Sequence, residues 1–183
     1  MKKRQQGSFV VELSFVLIFF SFVIVFMADI AMQLFHQSNL QRASYSLVNV
    51  LKERSRFYID IDEDKHQIIR FQVDDNDLKD MQIMADRLLN SSNEKPVNYG
   101  IRIESLSNSA MRNNPSLVEF GLLSCLSDDK LKTDSPLLPN NLEESEYTLY
   151  QVSLCYQIDS WFSRLINLDD KHTIASSAVM VGR

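Results

Sequence analysis

The stretch Gln5–Phe22, QQGSFVVELSFVLIFFSF, sets one carboxylate, Glu12, inside an otherwise apolar run. A lone charge at the centre of a membrane helix costs roughly 2.5–3.5 kcal/mol on insertion scales. From Phe9 to Ala28 Glu12 is the sole charge, and beyond it only Ser14 and Ser21 are polar. At 1.5 Å per residue such a helix is about 30 Å long, the thickness of a bilayer's hydrocarbon. A membrane-spanning helix over about residues 9–28 is therefore expected. Lys2, Lys3 and Arg4 precede it and Asp29 follows it. Basic residues stay on the cytoplasmic side, so the N-terminus is expected inside and the chain from Asp29 outside.

The remainder reads as an acidic, water-soluble domain. The net charge is −5 over 183 residues; removing Lys2, Lys3 and Arg4 leaves 16 of the 19 bases against 24 acids. Net acidity without a basic stripe argues against nucleic acid as a partner. His36, His66 and His172 are far apart, only four glycines occur, and neither a G-x-S-x-G motif nor a phosphate-binding glycine loop is present. No enzyme, cofactor or metal is expected from this pattern.

Three readings of the N-terminus compete. A cleaved secretory signal fits the basic start, but MADIAMQ places Ala28 and Ala31 at the wrong spacing for its cleavage site. A plain signal anchor would leave Glu12 at the interface, where its stem can snorkel. The third is a prepilin-like leader, residues 1–7, cut after Gly7. The mature chain would then begin at Ser8, with Glu12 as its fifth residue. Such a cut creates an α-ammonium at Ser8. A neighbouring subunit shifted along the helix axis can set its own Glu12 against that amine, so two costly charges become a pair. A carboxylate in the first turns also complements the helix dipole.

QQG followed by SFVVEL and a long apolar helix resembles the leader of tight-adherence (Flp) pilus systems, and RASYSLVNVLKERSRFY (42–58) and YGIRIESL (99–106) resemble the TadF branch of the TadE/TadF pseudopilins. The resemblance is strongest over the first 60 residues. One departure is Leu13, where the Flp major pilin usually carries tyrosine; the greater length is another. Both point to a minor, pilin-like component. The resemblance implies a non-catalytic part in assembling Flp pili, and hence in surface adherence. The implied partners are a prepilin peptidase, a TadE-like pseudopilin, the Flp major pilin, the inner-membrane assembly platform and membrane lipid. A membrane-anchored periplasmic sensor or binding module that keeps its leader is the alternative from another class. A pseudopilin of a type II secretion or competence system is a third.

The fold class expected is α+β: a long N-terminal helix over 8–57, then a periplasmic domain over 58–183. Leu40, Ala43, Leu47, Val50 and Leu51 form a stripe at helical spacing, expected to pack within the chain. YIDIDEDKH (58–66) reads as a solvated acidic loop; it lacks the glycine and the final glutamate of a calcium-binding EF-hand. A second helix is expected from about Asp77, its cap, to Asn90, with Leu78, Met81, Met84, Ala85, Leu88 and Leu89 on one face. About four antiparallel strands follow, with one face covered. VNYGIRIESL (97–106) alternates Val97, Tyr99, Ile101 and Ile103 against Asn98, Arg102 and Glu104, the pattern of a half-exposed strand. SLVEFGLLSC (116–125), YTLYQVSLCYQI (147–158) and HTIASSAVMVG (172–182) are the other candidates, and 127–146 reads as a long polar loop.

In YTLYQVSLCYQI, Tyr150, Val152, Leu154, Tyr156 and Ile158 share the apolar face, and Cys155 falls opposite with Gln151, Ser153 and Gln157. Cys125 aligns with Glu119 and Gly121 rather than with Val118, Phe120 and Leu122. Two outward cysteines in an oxidising compartment read as a disulfide, since neither a C-x-x-C nor a Cys/His cluster is present. Trp161 in DSWF is expected in the core rather than in an exposed patch.

Overall fold

The computed structural model describes residues 6–57, 59–61, 67–69, 72–90, 98–107, 115–126, 130–131, 148–165 and 171–182. Helix α1 runs Gln6–Phe57, strands β1 and β2 are Ile59–Ile61 and Gln67–Ile69, and helix α2 is Asp75–Asn90. Strands β3 (Tyr99–Ser107), β4 (Ser116–Gly121) and β5 (Thr148–Asp159) follow, then the short helix α3 (Trp161–Leu165) and strand β6 (Lys171–Gly182). The α+β class stands, with a four-stranded sheet in the order β4-β3-β5-β6. The chain divides into two compact units, one of residues 1–36 with 158–172 and the other of residues 37–157 with 173–183.

In the larger unit, Leu40, Ala43, Ser44, Leu47, Val48 and Leu51 of α1 are buried. Their spacing of three and one is a single helical stripe, so this part of α1 packs within the chain. Val50 lies off that stripe and is exposed. Ser44 shares a hydrogen bond with Ser176 of β6 (Oγ to Oγ 3.2 Å). At its far end α1 is tied to α2: Arg54 ion-pairs with Asp77 at 2.6 Å and with Asp80 at 3.2 Å.

Helix α2 starts two residues earlier than its sequence pattern suggests, and its cap is Asp74 rather than Asp77. Asp74 Oδ1 accepts the backbone N–H groups of Asn76 and Asp77 (3.0 Å each), and Asp77 Oδ2 accepts the N–H of Asp74. This reciprocal box satisfies helix-end donors from both sides and leaves the buried Asp77 its second oxygen for Arg54. Leu78, Met81, Ala85 and Leu89 are buried as expected, but Leu88 is exposed.

The expectation for β3 fails in an informative way. Every residue from Tyr99 to Ser107 is buried, so the strand is covered on both faces, not half-exposed. The first face carries Tyr99, Ile101 and Ile103, paired with Tyr156, Leu154 and Val152 of β5. Helix α2 lies over it, where the Tyr99 hydroxyl donates to the Gln82 carbonyl at 3.2 Å. The second face carries Gly100, Arg102 and Glu104, paired with Cys155, Ser153 and Gln151. A non-periodic segment covers it: Leu122, Cys125 and Leu126 pack with Cys155, and the Leu131 N–H donates to Glu104 at 3.2 Å.

The segment reaches that face because β4 ends early. Gly121 adopts φ +82°, a conformation costly for other residues. The Leu122 N–H then donates back to the Tyr99 carbonyl at 3.1 Å, and a turn of 3-10 helix, Leu123–Cys125, follows. Cys125 is thus in a turn and not on a strand. It is bonded to Cys155, and both cysteines are buried rather than outward-facing. The bond passes over Gly100, where even a methyl group would stand 2.9 Å from Cys155 Sγ.

Residues Ile59–Ile61 pair antiparallel with Gln67–Ile69, so YIDIDEDKH is not wholly loop. Its remaining residues, Val97, and the loop expectation over 127–129 and 132–146 lie outside the described residues.

Candidate functional site

The smaller unit holds the residues that the sequence singles out. Gly7 and Ser8 lie in the first turn of α1. Glu12 is exposed. It stands four residues beyond Ser8, one turn and about 6 Å along the axis, and so on the same face. Around it the helix is apolar on every side: Phe9 is 66% exposed, and Val10, Val11, Phe15, Val16, Phe19 and Phe20 are exposed as well. A helix that is apolar all round demands an apolar surrounding. Ser14 and Ser21 do not weaken that demand, because each hydroxyl donates at 2.7 Å to a carbonyl of the same helix, Val11 and Ile18 respectively. Among the described residues α1 is the one helix long and apolar enough to cross a membrane.

At the other end of the apolar run, Asp29 gathers a polar knot. Its Oδ1 accepts the Trp161 N–H at 3.0 Å, and its Oδ2 accepts Ser160 Oγ–H at 2.8 Å and Gln33 Nε2–H at 3.0 Å. Ser160 in turn caps α3, its Oγ accepting the Ser163 N–H at 3.1 Å. One turn inward, Phe26 meets Phe162 edge to face, ring centroids 5.1 Å apart. Trp161 itself is 69% exposed, against the expectation of a core residue. Nothing in its spacing signals this. Asp29 is recognisable only as the first charge after the apolar run.

The larger unit contains a buried polar row on the second sheet face. Arg102 is 5% exposed and ion-pairs with Glu119, its β4 neighbour. Glu104 is 3% exposed, and Gln151 Nε2–H donates to Ser153 Oγ at 3.3 Å. Burial pushes the Glu104 carboxyl above its usual 4.5, although the Leu131 N–H and the nearby Arg102 and Lys130 pull it back. On the first face burial, with Asp86 nearby, raises the Tyr99 hydroxyl, and burial raises Tyr156 to about 12. Among the described residues no group of three or more His, Cys, Asp or Glu side chains is placed to hold a metal. His172 hydrogen-bonds Ser163 (Nε2 to Oγ 3.1 Å), and His66 lies outside the described residues.

The long apolar helix and the sheet unit can be set beside known families. The model of the family TadF, "Putative tight adherence pilin protein F", matches residues 1–183, the whole chain. The chain belongs to the TadF family. No curated protein and no solved structure matches it. TadF membership makes the chain a pilin-like component of the tight adherence pilus system, which is a structural and not an enzyme family. It also implies dealings with other components of that system. For a TadF protein the long apolar α1 is the natural membrane anchor.

Proposed function

We propose that this TadF-family chain is a minor pilin-like subunit that supports assembly of the tight adherence pilus after removal of residues 1–7. A prepilin peptidase cuts after Gly7. Residues 8–57 form the helix that carries the mature subunit, and residues 58–183 form a periplasmic domain, with the N-terminus on the cytoplasmic side. The new α-ammonium of Ser8 on one subunit meets the corresponding glutamate of another: Glu12 of a second copy, or that of a TadE-like pseudopilin or the Flp major pilin. The inner-membrane assembly platform receives the anchored subunit. The observation that carries this reading is a helix exposed and apolar all round from Phe9 onward, interrupted by one carboxylate a single turn beyond Ser8.

The test is the mass of the protein recovered from cells with and without the peptidase. The expected N-terminus is Ser8 with the enzyme and Met1 without it. Gly7→Asp should give the Met1 form in both, because the bulkier, charged side chain cannot occupy the position before the cut. A Met1 form recovered from peptidase-containing cells would instead favour an anchored sensor or binding module.

A further inference from the structure

The knot at Asp29 has a geometry that leaves the capping of a five-residue helix only part of the story. The apolar run ends at Ala28, so in a helix that crosses a bilayer Asp29 stands where hydrocarbon gives way to headgroups. Two backbone-linked contacts hold the start of α3 at this level, the Trp161 N–H and Ser160 Oγ–H both donating to the Asp29 carboxylate. Phe162 reaches further in and packs on Phe26, which lies three residues, about 4.5 Å, closer to the centre of the span. Helix α3 therefore lies beside the last turn of the span and not above it.

What α3 presents from that position is apolar. Trp161 is 69% and Leu165 60% exposed, and Phe26, Met27 and Ile30 at the end of the apolar run on α1 are exposed as well. In water this would be an unpaid display of large apolar surface. At a membrane interface it is favourable, because an indole offers an apolar body and one N–H donor to a layer that is half wet. Arg164 is exposed between them and faces Asp159 at 3.5 Å; its long stem suits a head held in the aqueous layer.

We propose that α3 is a lipid-contacting foot: Asp29 pins it to the end of the membrane span so that Trp161 and Leu165 lodge at the headgroup–acyl boundary of the leaflet where α1 leaves the bilayer. The proposal rests on α1 spanning the membrane. Its occupant is lipid, since Asp29 and Phe26 fasten α3 to the end of the apolar run that α1 turns to the bilayer.

Trp161 is the only tryptophan of the chain, so its emission reports this site alone. The experiment places the purified full chain in phosphatidylcholine vesicles and scores co-flotation, emission maximum, quenching by acrylamide, and quenching by lipids brominated near the glycerol or near the chain ends. The expected result is co-flotation, a blue-shifted emission, little acrylamide quenching, and a loss of intensity greater with shallow than with deep bromine. Asp29→Ala should still float, but the shift should revert and shallow quenching should fall as acrylamide quenching rises. A floating wild-type protein whose Trp161 emits as in water, or is shielded without any bromine quenching, overturns the foot and leaves the anchor standing. Failure to float overturns both. A floating Asp29→Ala protein with the wild-type quenching profile overturns the pinning by Asp29.

Discussion

Two stretches of one helix, residues 9–35 and 40–51 of α1, obey opposite rules. In the first, most of the phenylalanine, valine, leucine and isoleucine side chains stay exposed, with Val23 and Val25 half-buried. In the second, Leu40, Ala43, Leu47, Val48 and Leu51 are buried along one stripe, while Tyr45 and Val50 remain outside. Backbone geometry is the same, so the difference lies in what each stretch is meant to touch. The second stretch finds its partners in its own chain. The first has few in its own chain, Phe162 on Phe26 and the start of α3 on Asp29, and most of its apolar surface is left to lipid or to other subunits.

Substitutions in the two stretches should therefore be separable. The largest effect expected is that Glu12→Gln abolishes fibre production and co-purification with other pilus components, with the thermal unfolding of the sheet domain unchanged. Normal fibres in that variant would remove the charge-pairing account of the first stretch. Replacing both Cys125 and Cys155 by serine opens a closure of sequence separation 30 in the larger unit, to which the second stretch of α1 also belongs. Unfolding free energy should fall by about 3–4 kcal/mol in the chain-entropy view of disulfides. Denaturant titration of the full chain in detergent measures it. Leu47→Ala removes a fully buried side chain and should cost about 2–5 kcal/mol by the same titration, whereas Leu17→Ala, on the exposed stretch, should leave the midpoint nearly unmoved.

The smallest effect expected concerns pH. Glu104 has a folded-state pKa above its usual value because of burial. Such a group favours the fold while it is protonated in both states. That contribution is lost as pH rises from the ordinary carboxylate range through the raised folded value. Glu104→Gln keeps an acceptor for the Leu131 N–H and has no charge to bury. Its melting temperature should match wild type in acid and exceed it at neutral pH. Parallel melting curves at all pH values would show that the row carrying Arg102 and Glu104 is well solvated.

The same contrast explains which parts of the fold were legible in the sequence. The apolar helix could be read because a twenty-residue run with only Glu12, Ser14 and Ser21 polar admits few structures, and the strand Thr148–Asp159 because the alternation from Tyr150 to Ile158 admits one. Alternation misled at Tyr99–Leu106. Arg102 and Glu104 occupy the places that solvent usually fills, and the residues that cover this face, Leu122, Cys125, Leu126 and Leu131, have no period from which to infer a buried contact. The cysteines were read as a bonded pair facing outward; their bond is instead under that cover, because Gly121 turns the chain back over the sheet. Trp161 was expected inside, since a large aromatic next to Phe162 usually is; the local pattern holds no hint that Asp29, far away in the chain, displays it. The assignment of Gly7, Ser8 and Glu12 is a proposal that rests on a spacing of one helical turn, and the mature N-terminus tests it.

The cysteine pair over Gly100 adds a matter of timing. A disulfide persists where the surroundings oxidise thiols and is rare where glutathione keeps them reduced. A newly made chain still in the cytosol would therefore hold the cover over Arg102 and Glu104 by noncovalent contacts alone. With the proposed topology, sealing of the sheet becomes covalent only after export, so the bond would act as a stamp of arrival on those copies that have crossed.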